Sequence, residues 1–442
     1  MSQCSEFEER RVLPAKMFLS FLAVYLYLVI CAVVSTIGTI LLGLGWGPLA
    51  HLYISLIRFM QSFYPRIYPL VPTATWPAIL RRCEKSALER HRNSSLSSFK
   101  FSTIPARNVL EVCTDALKAA IEAIAQDEIS VAFHPAPTCY TTLLQRPDQQ
   151  PFLEPTYQIT KLQLAFYYFT VVIRWGFLFP TRFCILISSV IFCGLAAIGS
   201  NFTSYTRQQQ AYIARVYSRL WCAGLGYIVA YHDREYRPQT PGLAVSNHLS
   251  PNDAQAITSD IDPYEQNAYT LTGQRHSGIL QFLQSLGTRL CPCIWFDRYD
   301  ANDRIRFFNS IIRYAKHDGP VLLFPEGYCT NNTNILQFRK ALFEDGVTVY
   351  PIAIRQNARY GDSYWSEDHF AMYLLRLMVS WAIVYDVYYL PMMKKKDDEP
   401  AELFAERVQN AIAGKSSDHA TPIAHFNSLA YKGVNSKVTG NK

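Results

Sequence analysis

Apolar residues in this chain fall into two long blocks and then into many short runs. Residues 17–57 contain no Lys, Arg, Asp or Glu. A straight membrane span needs about 20 apolar residues. This block is longer and carries Gly38, Gly43, Gly45 and Gly47. It reads as a retained anchor, either one tilted span with an interfacial extension or a re-entrant hairpin. It is too long for a secretory signal peptide, and no A-x-A-like site closes a short apolar core. Arg10, Arg11 and Lys16 precede it, and Arg58, Arg66, Arg81 and Arg82 follow. Balanced basic flanks give no orientation, and they favour the hairpin, whose two ends share one side. The second block, residues 162–202, is interrupted by Arg174, Pro180 and Arg182. It fits a clean span or a broken, shallow hairpin, with both arginines snorkelling to headgroups.

Between the blocks, residues 108–129 have apolar positions at helical spacing, and prolines at 135, 137, 147 and 151 mark a linker. Asn93-Ser94-Ser95 is a glycosylation sequon only if that segment is lumenal. From residue 205 the pattern changes. A helix over 208–222 is followed by short apolar runs at 226–231, 243–246, 268–272, 293–296, 321–324 and 347–354. Helical stretches at 278–286 and 302–316 separate several of them, and a helix over 373–382, a strand over 383–390 and a helix over 401–413 complete the series. The predicted fold is α/β: a mostly parallel sheet with flanking helices, plus N-terminal membrane helices. The expected division is an anchor at 1–60, a variable region at 61–160, a second hydrophobic segment at 161–204, a catalytic domain at 205–414 and a polar tail at 415–442.

Composition agrees with membrane attachment. Charged residues make up 17% of the chain, where about 25% is usual in soluble proteins. The net charge of +7 is too diffuse for nucleic-acid binding and suits an anionic membrane surface or phosphorylated substrates. Eleven scattered cysteines include the pair Cys291 and Cys293, but no second pair completes a zinc pattern, so no metal site is expected.

Candidate chemistry lies where strands end, because ligands on parallel sheets bind at the carboxyl ends of strands. Residues 244–253 read as a strand end, a polar turn and the first turn of a helix. Of the ten histidines, only His248 has a carboxylate five residues on, Asp253. On a continuous helix that spacing would part the two; across a turn they can meet. The aspartate would then hold one imidazole nitrogen while the other takes a proton. The alternative is a polar turn with Asp253 capping the helix. Arg298 follows another strand and suits a phosphate ligand or a surface ion pair. Phe324-Pro325-Glu326-Gly327 follows a third, with Glu326 able to accept hydrogen bonds and Gly327 allowing close approach. Pro351, inside a core strand, marks an edge, a bulge or a pocket wall. No G-x-S-x-G elbow is present, which argues against a serine hydrolase.

His248-x4-Asp253, Phe296-x-Arg298, Phe324-Pro325-Glu326-Gly327 and Val349-Tyr350-Pro351, in that order, resemble the four-motif set of the glycerolipid acyltransferases. Thr330-Asn331-Asn332-Thr333, Tyr360-Gly361-Asp362 and Ser380-Trp381-Ala382-Ile383-Val384 narrow the resemblance to the glycerol-3-phosphate acyltransferases of the endoplasmic reticulum. The resemblance implies transfer of an acyl group from long-chain acyl-CoA, a co-substrate rather than a bound cofactor, to the sn-1 hydroxyl of glycerol 3-phosphate. It implies His248 as general base and Asp253 as its orienter. Arg298 would bind phosphate, and Phe324, Pro325, Glu326, Gly327 and Pro351 would form the substrate site. It also implies a bilayer-bound protein with a cytosolic active site in the endoplasmic-reticulum membrane; a hairpin anchor would permit movement to lipid droplets. Tyr328 and Ala341 depart from the usual small hydroxyl residue and glycine. The competing readings are a lysophospholipid acyltransferase and a catalytically silent membrane scaffold.

Overall fold

The computed structural model describes residues 2–45, 48–62, 117, 161–239, 241–265, 268–297, 301–332, 335–343, 346–358, 360–365, 367 and 369–416. The linker, the polar tail beyond 416, Arg298 and, apart from Leu117, the helix expected over 108–129 lie outside the described residues.

The first apolar block folds as helix, turn, helix: α1 (Ser2–Leu41) and α2 (Pro48–Ser62). Met17–Leu41 is long and apolar enough to cross a membrane by length and composition, and most of it is exposed apolar surface. Helix α2 is committed elsewhere. Its Ile57 is fully buried against Tyr360 and Trp381, and the Tyr53 hydroxyl donates to the Trp381 carbonyl at 2.6 Å. The block is therefore a membrane-length helix with a domain-bound extension.

The second block is not a hairpin. Helix α3 (Lys161–Ile173) passes through a π turn (Arg174–Leu178) straight into α4 (Phe179–Gly199). Pro180 lies in the first turn of α4 and lacks an N–H to donate backward; the wider π turn absorbs that gap without breaking the axis. Leu164–Gly199 is again long and apolar enough to span. Its arginines do not snorkel: Arg174 and Arg182 are both buried. Arg182 donates to the carbonyls of Met378, Ser380 and Trp381, so it binds the catalytic domain to the apolar helix.

Helix α5 (Arg207–Leu225) starts at a Thr206–Gln209 capping box and stops at Gly226, whose φ of 77° needs no Cβ. It packs closely on α4, since a Cβ at Gly224 would meet the Leu186 backbone at 2.8 Å. The rest follows the expected alternation: β1 (Tyr227–His232), β2 (Gly242–Ser246), α6 (Asp253–Thr258), β3 (Thr270–Gln274), α7 (Gly278–Leu290), β4 (Cys293–Phe296) and α8 (Ala301–His317). Then come β5 (Pro320–Leu323), β6 (Val349–Asn357), α9 (Phe370–Val379), β7 (Ile383–Tyr389) and α10 (Ala401–Ser416).

The seven strands form one sheet in the order β1-β7-β6-β2-β5-β3-β4. All neighbours run parallel except β6 and β7. Strand β2 is buried throughout, with Ala244 in the core on one face and Leu243 and Val245 in the core on the other. Burial on both faces explains why these strands read as continuous apolar runs. Trp221, Ile257 and Tyr373 cover the first face; Ile311, Phe404 and Val408 cover the second.

Candidate active site

Strand β2 ends in the middle of the sheet, and its next residues turn across the carboxyl edge. Asn247 fixes that turn. Its side-chain amide pairs with the backbone of Ile354 on β6 in both directions, at 2.7 and 2.8 Å. His248 follows, and Asp253 opens α6 five residues later.

The two meet: His248 Nδ1 lies 3.0 Å from Asp253 Oδ2. The carboxylate is fully buried and takes more than the histidine. Oδ2 also accepts the N–H groups of Leu249 (2.6 Å) and Ser250 (2.9 Å). Oδ1 accepts the Ser250 hydroxyl at 2.9 Å and faces the Tyr385 hydroxyl at 3.0 Å. A buried carboxylate requires such donors. The capping alternative fails in its simple form, since Asp253 reaches backward to the histidine turn rather than into its own helix. Ser250 points inward to Asp253 and is fully buried.

With Nδ1–H donated to Asp253, Nε2 is left as the proton acceptor, and the imidazole side chain is 19% exposed. Phe324 stacks on the ring at 4.3 Å between centroids. The Cys329 sulfur lies 3.3 Å from Nε2. Burial works to lower the His248 pKa; Cys329 and Asp253 outweigh it and hold the imidazole well above its usual value.

Glu326, just beyond β5, is also brought to His248, but not as a bare substrate ligand. One carboxyl oxygen accepts the His248 N–H at 2.7 Å and the other accepts the Leu336 N–H at 2.8 Å. It braces the histidine loop from behind. Burial pushes its carboxyl up to about 8, against the two N–H donors. Thr330 N–H donates to the His248 carbonyl at 2.8 Å, so the segment after β5 holds His248 on both sides. Gly327 has φ of 74°, and a Cβ there would meet the Arg339 guanidinium at 2.9 Å. A cation therefore abuts this turn. Pro325 contributes its carbonyl to the Arg339 N–H.

Pro351 corrects an expectation. It sits in an interior strand, paired with Val245 and buried, and residues 349–354 pack into the sheet core rather than lining an open substrate wall. Of the alternatives, the bulge holds. Between the pairs Ile352–Tyr389 and Val349–Met393 the β6 side advances three residues and its partner four. The extra residue accommodates the missing proline N–H.

Sequence reading missed Asn247, Cys329, Tyr385 and Arg339. Asn247 and Cys329 had a signal, lying beside singled-out motif residues. Tyr385 had none, being one aromatic in a strand of aromatics.

Residues 228–355 match the Acyltransferase family, a segment running from β1 into β6 and holding both His248 and Glu326. This is an acyltransferase domain. Glycerol-3-phosphate acyltransferase 4 of Homo sapiens is 34% identical over 304 residues, covering 66% of this chain and 63% of that protein. Glycerol-3-phosphate acyltransferase 3 of Homo sapiens is 33% identical over 304 residues, covering 67% of each. The chain thus spans just under two thirds of the length of the former. A solved structure, the 1-acyl-sn-glycerophosphate (LPA) acyltransferase PlsC of Thermotoga maritima, superposes with a TM-score of 0.40 at 13% identity, over 56% of this chain and 95% of that one. The chain belongs to the glycerol-3-phosphate acyltransferase family.

Proposed function

We propose that the protein transfers an acyl group from acyl-CoA to the sn-1 hydroxyl of glycerol 3-phosphate, forming lysophosphatidate for phospholipid and triacylglycerol synthesis. The observation that carries this reading is the His248–Asp253 pair, with Nδ1 held by a buried carboxylate at 3.0 Å and Nε2 facing Cys329, two residues past the Pro-Glu-Gly turn. Nε2 takes the proton of the acceptor hydroxyl as its oxygen attacks the thioester carbonyl. The C–S bond then breaks, and the proton returns to the departing CoA sulfur. Asp253 stabilises the imidazolium formed between these steps. The thioester arrives activated, so the protein supplies a base and positioning, and no resident cofactor is invoked. Arg298 remains the phosphate ligand proposed from its motif, and Arg339 beside Gly327 supports a cationic phosphate subsite at this turn.

The two apolar helices and the family relationship support a bilayer-bound enzyme; the motif resemblance carries its proposed place in the endoplasmic-reticulum membrane with the active site cytosolic. The test is expression of wild type and His248→Ala in membranes lacking background activity, supplied with labelled glycerol 3-phosphate and acyl-CoA. Lysophosphatidate from wild type only is expected, with a loss of about 10²–10⁴-fold in the variant. Product from lysophospholipid alone would reassign the acceptor, and equal activity in the variant would remove His248 from the mechanism.

A further inference from the structure

Four arginines line one cavity of about 320 Å³ far from His248. Arg215 and Arg219 come from α5, and Arg234 and Arg237 follow β1. Strand β1 runs parallel to β7, which is antiparallel to β6 and hence to β2. The carboxyl end of β1 therefore lies at the sheet edge opposite the catalytic turn.

Three of the four arginines have structural partners. Arg219 donates to the carbonyls of Ser259 (2.9 Å) and Gly43 (3.2 Å). Arg234 pairs with buried Asp260 at 2.7 Å. Arg237 shares Asp260 at 3.7 Å and meets exposed Glu265 at 3.7 Å. Arg215 has no hydrogen bond or ion pair among the described residues. The wall holds four guanidinium groups against two carboxylates, Asp260 and Asp262. Burial first, and then the Arg215 charge, act against the Arg219 cation, while Tyr231 and Asp260 favour it. Gly43 and Gly45 belong to the same wall, in the turn that ends the membrane-length helix α1. The excess of cations therefore opens beside the turn that follows the membrane-length helix.

We infer that this cavity is a binding site for the phosphate headgroup of an anionic membrane lipid, separate from the catalytic turn. The guanidinium fork matches phosphate oxygens, and Arg215 supplies the uncommitted fork. The site does not rest on the acyl-transfer reading.

The test titrates the full chain, purified in neutral detergent, with dioctanoyl phosphatidate and with dioctanoyl phosphatidylcholine, following binding by calorimetry. Wild type is expected to bind phosphatidate in preference to phosphatidylcholine. Arg215→Glu is expected to weaken phosphatidate binding at least tenfold and Arg215→Gln by less, with thermal unfolding and glycerol 3-phosphate binding unchanged in both. Equal binding of the two lipids by wild type would overturn the inference. So would an unchanged affinity for phosphatidate in Arg215→Glu. Displacement of phosphatidate by an equal concentration of inorganic phosphate would show a free-phosphate site and overturn the lipid assignment.

Discussion

Cys329 Sγ lies 3.3 Å from His248 Nε2, against the nitrogen that Asp253 leaves to accept a proton. In the proposed reaction an acceptor hydroxyl would have to displace or share that position. The thiol also takes part in holding the imidazole pKa well above its usual value. A general base works only when unprotonated, so with His248 in its proposed role activity is expected to rise with pH through the His248 pKa. Removing a partner that raises this pKa moves the rise to lower pH. Cys329→Ala is therefore expected to shift the acid limb of the kcat/KM profile downward while keeping activity within about tenfold. A bulky thiol reagent is expected to block wild type and spare Cys329→Ala. An unshifted limb in the variant would show that Cys329 does not act on His248.

Tyr385 stands behind the site. Its hydroxyl is 3.0 Å from Asp253 Oδ1 and 2.6 Å from Ser363 Oγ, and it is fully buried. Burial and the Asp253 charge push its phenol well above the usual value, so it remains a donor. Giving its proton to the carboxylate is the charge-assisted choice. Ser363 N–H in turn donates to Gln356, tying the arrangement to β6. Tyr385→Phe keeps the ring and removes one donor to Oδ1, leaving Ser250. A hydrogen bond to a charged group is worth about 1.5–3 kcal/mol, and about 1.4 kcal/mol is tenfold in rate. The expected result is kcat down by roughly 10-fold or more, KM for glycerol 3-phosphate unchanged and the acid limb displaced. A matched fall in stability with no change in the pH profile would make Tyr385 a packing residue only.

Most of the fold was legible because the sheet is buried on both faces. Strand β4 and the start of α7 fell where the apolar runs and the glycine put them, and other boundaries moved by a few residues. The His248–Asp253 meeting was legible because a turn between a strand and a helix brings such positions together. Tertiary contacts made the rest illegible. Nothing local says that Arg182, in an apolar stretch, finds three carbonyls nearly two hundred residues away. Nothing local says that Glu326 finds two backbone N–H groups on separate loops. Both residues carry an ionisable group into the interior, and what satisfies such a group is decided by packing rather than by sequence neighbours.

Glu326 gives a pH dependence with a definite sign. Its folded pKa, about 8, lies above the ordinary carboxyl value of 4.5. The folded state therefore holds a proton that the unfolded chain releases. Its contribution to stability is complete below about 4.5 and is lost as pH rises through about 8. Thermal unfolding of wild type is expected to move to lower temperature between pH 6 and pH 9. Glu326→Gln removes the titration and can accept on only one atom, leaving either the His248 or the Leu336 N–H unpaired, at about 1–3 kcal/mol. The variant is expected to be less stable than wild type at pH 6, with the gap narrowing at pH 9. A constant gap across that range would show that Glu326 keeps an ordinary pKa.

Arg182 decides how the catalytic domain sits on its apolar helix. Its guanidinium reaches the carbonyls of Met378, Ser380 and Trp381, where α9 ends and β7 begins. Those carbonyls include groups a helix end leaves without internal donors. The fork serves them together, and it fits because Gly226 has no Cβ; one there would meet the guanidinium at 2.5 Å. Lysine keeps the charge but is a single point donor and cannot span the three. Arg182→Lys is expected to lower stability by on the order of 3 kcal/mol, as hydrogen bonds to a buried charge are lost. The same corner receives Tyr53 of α2 through the Trp381 carbonyl, so loosening it also frees α2. Limited proteolysis near residues 42–48 is therefore expected to accelerate in Arg182→Lys more than in a variant of equal stability loss placed on α10, such as Val408→Ala. Equal acceleration in the two would show that Arg182 stabilises the domain without fixing its attachment to the apolar helices.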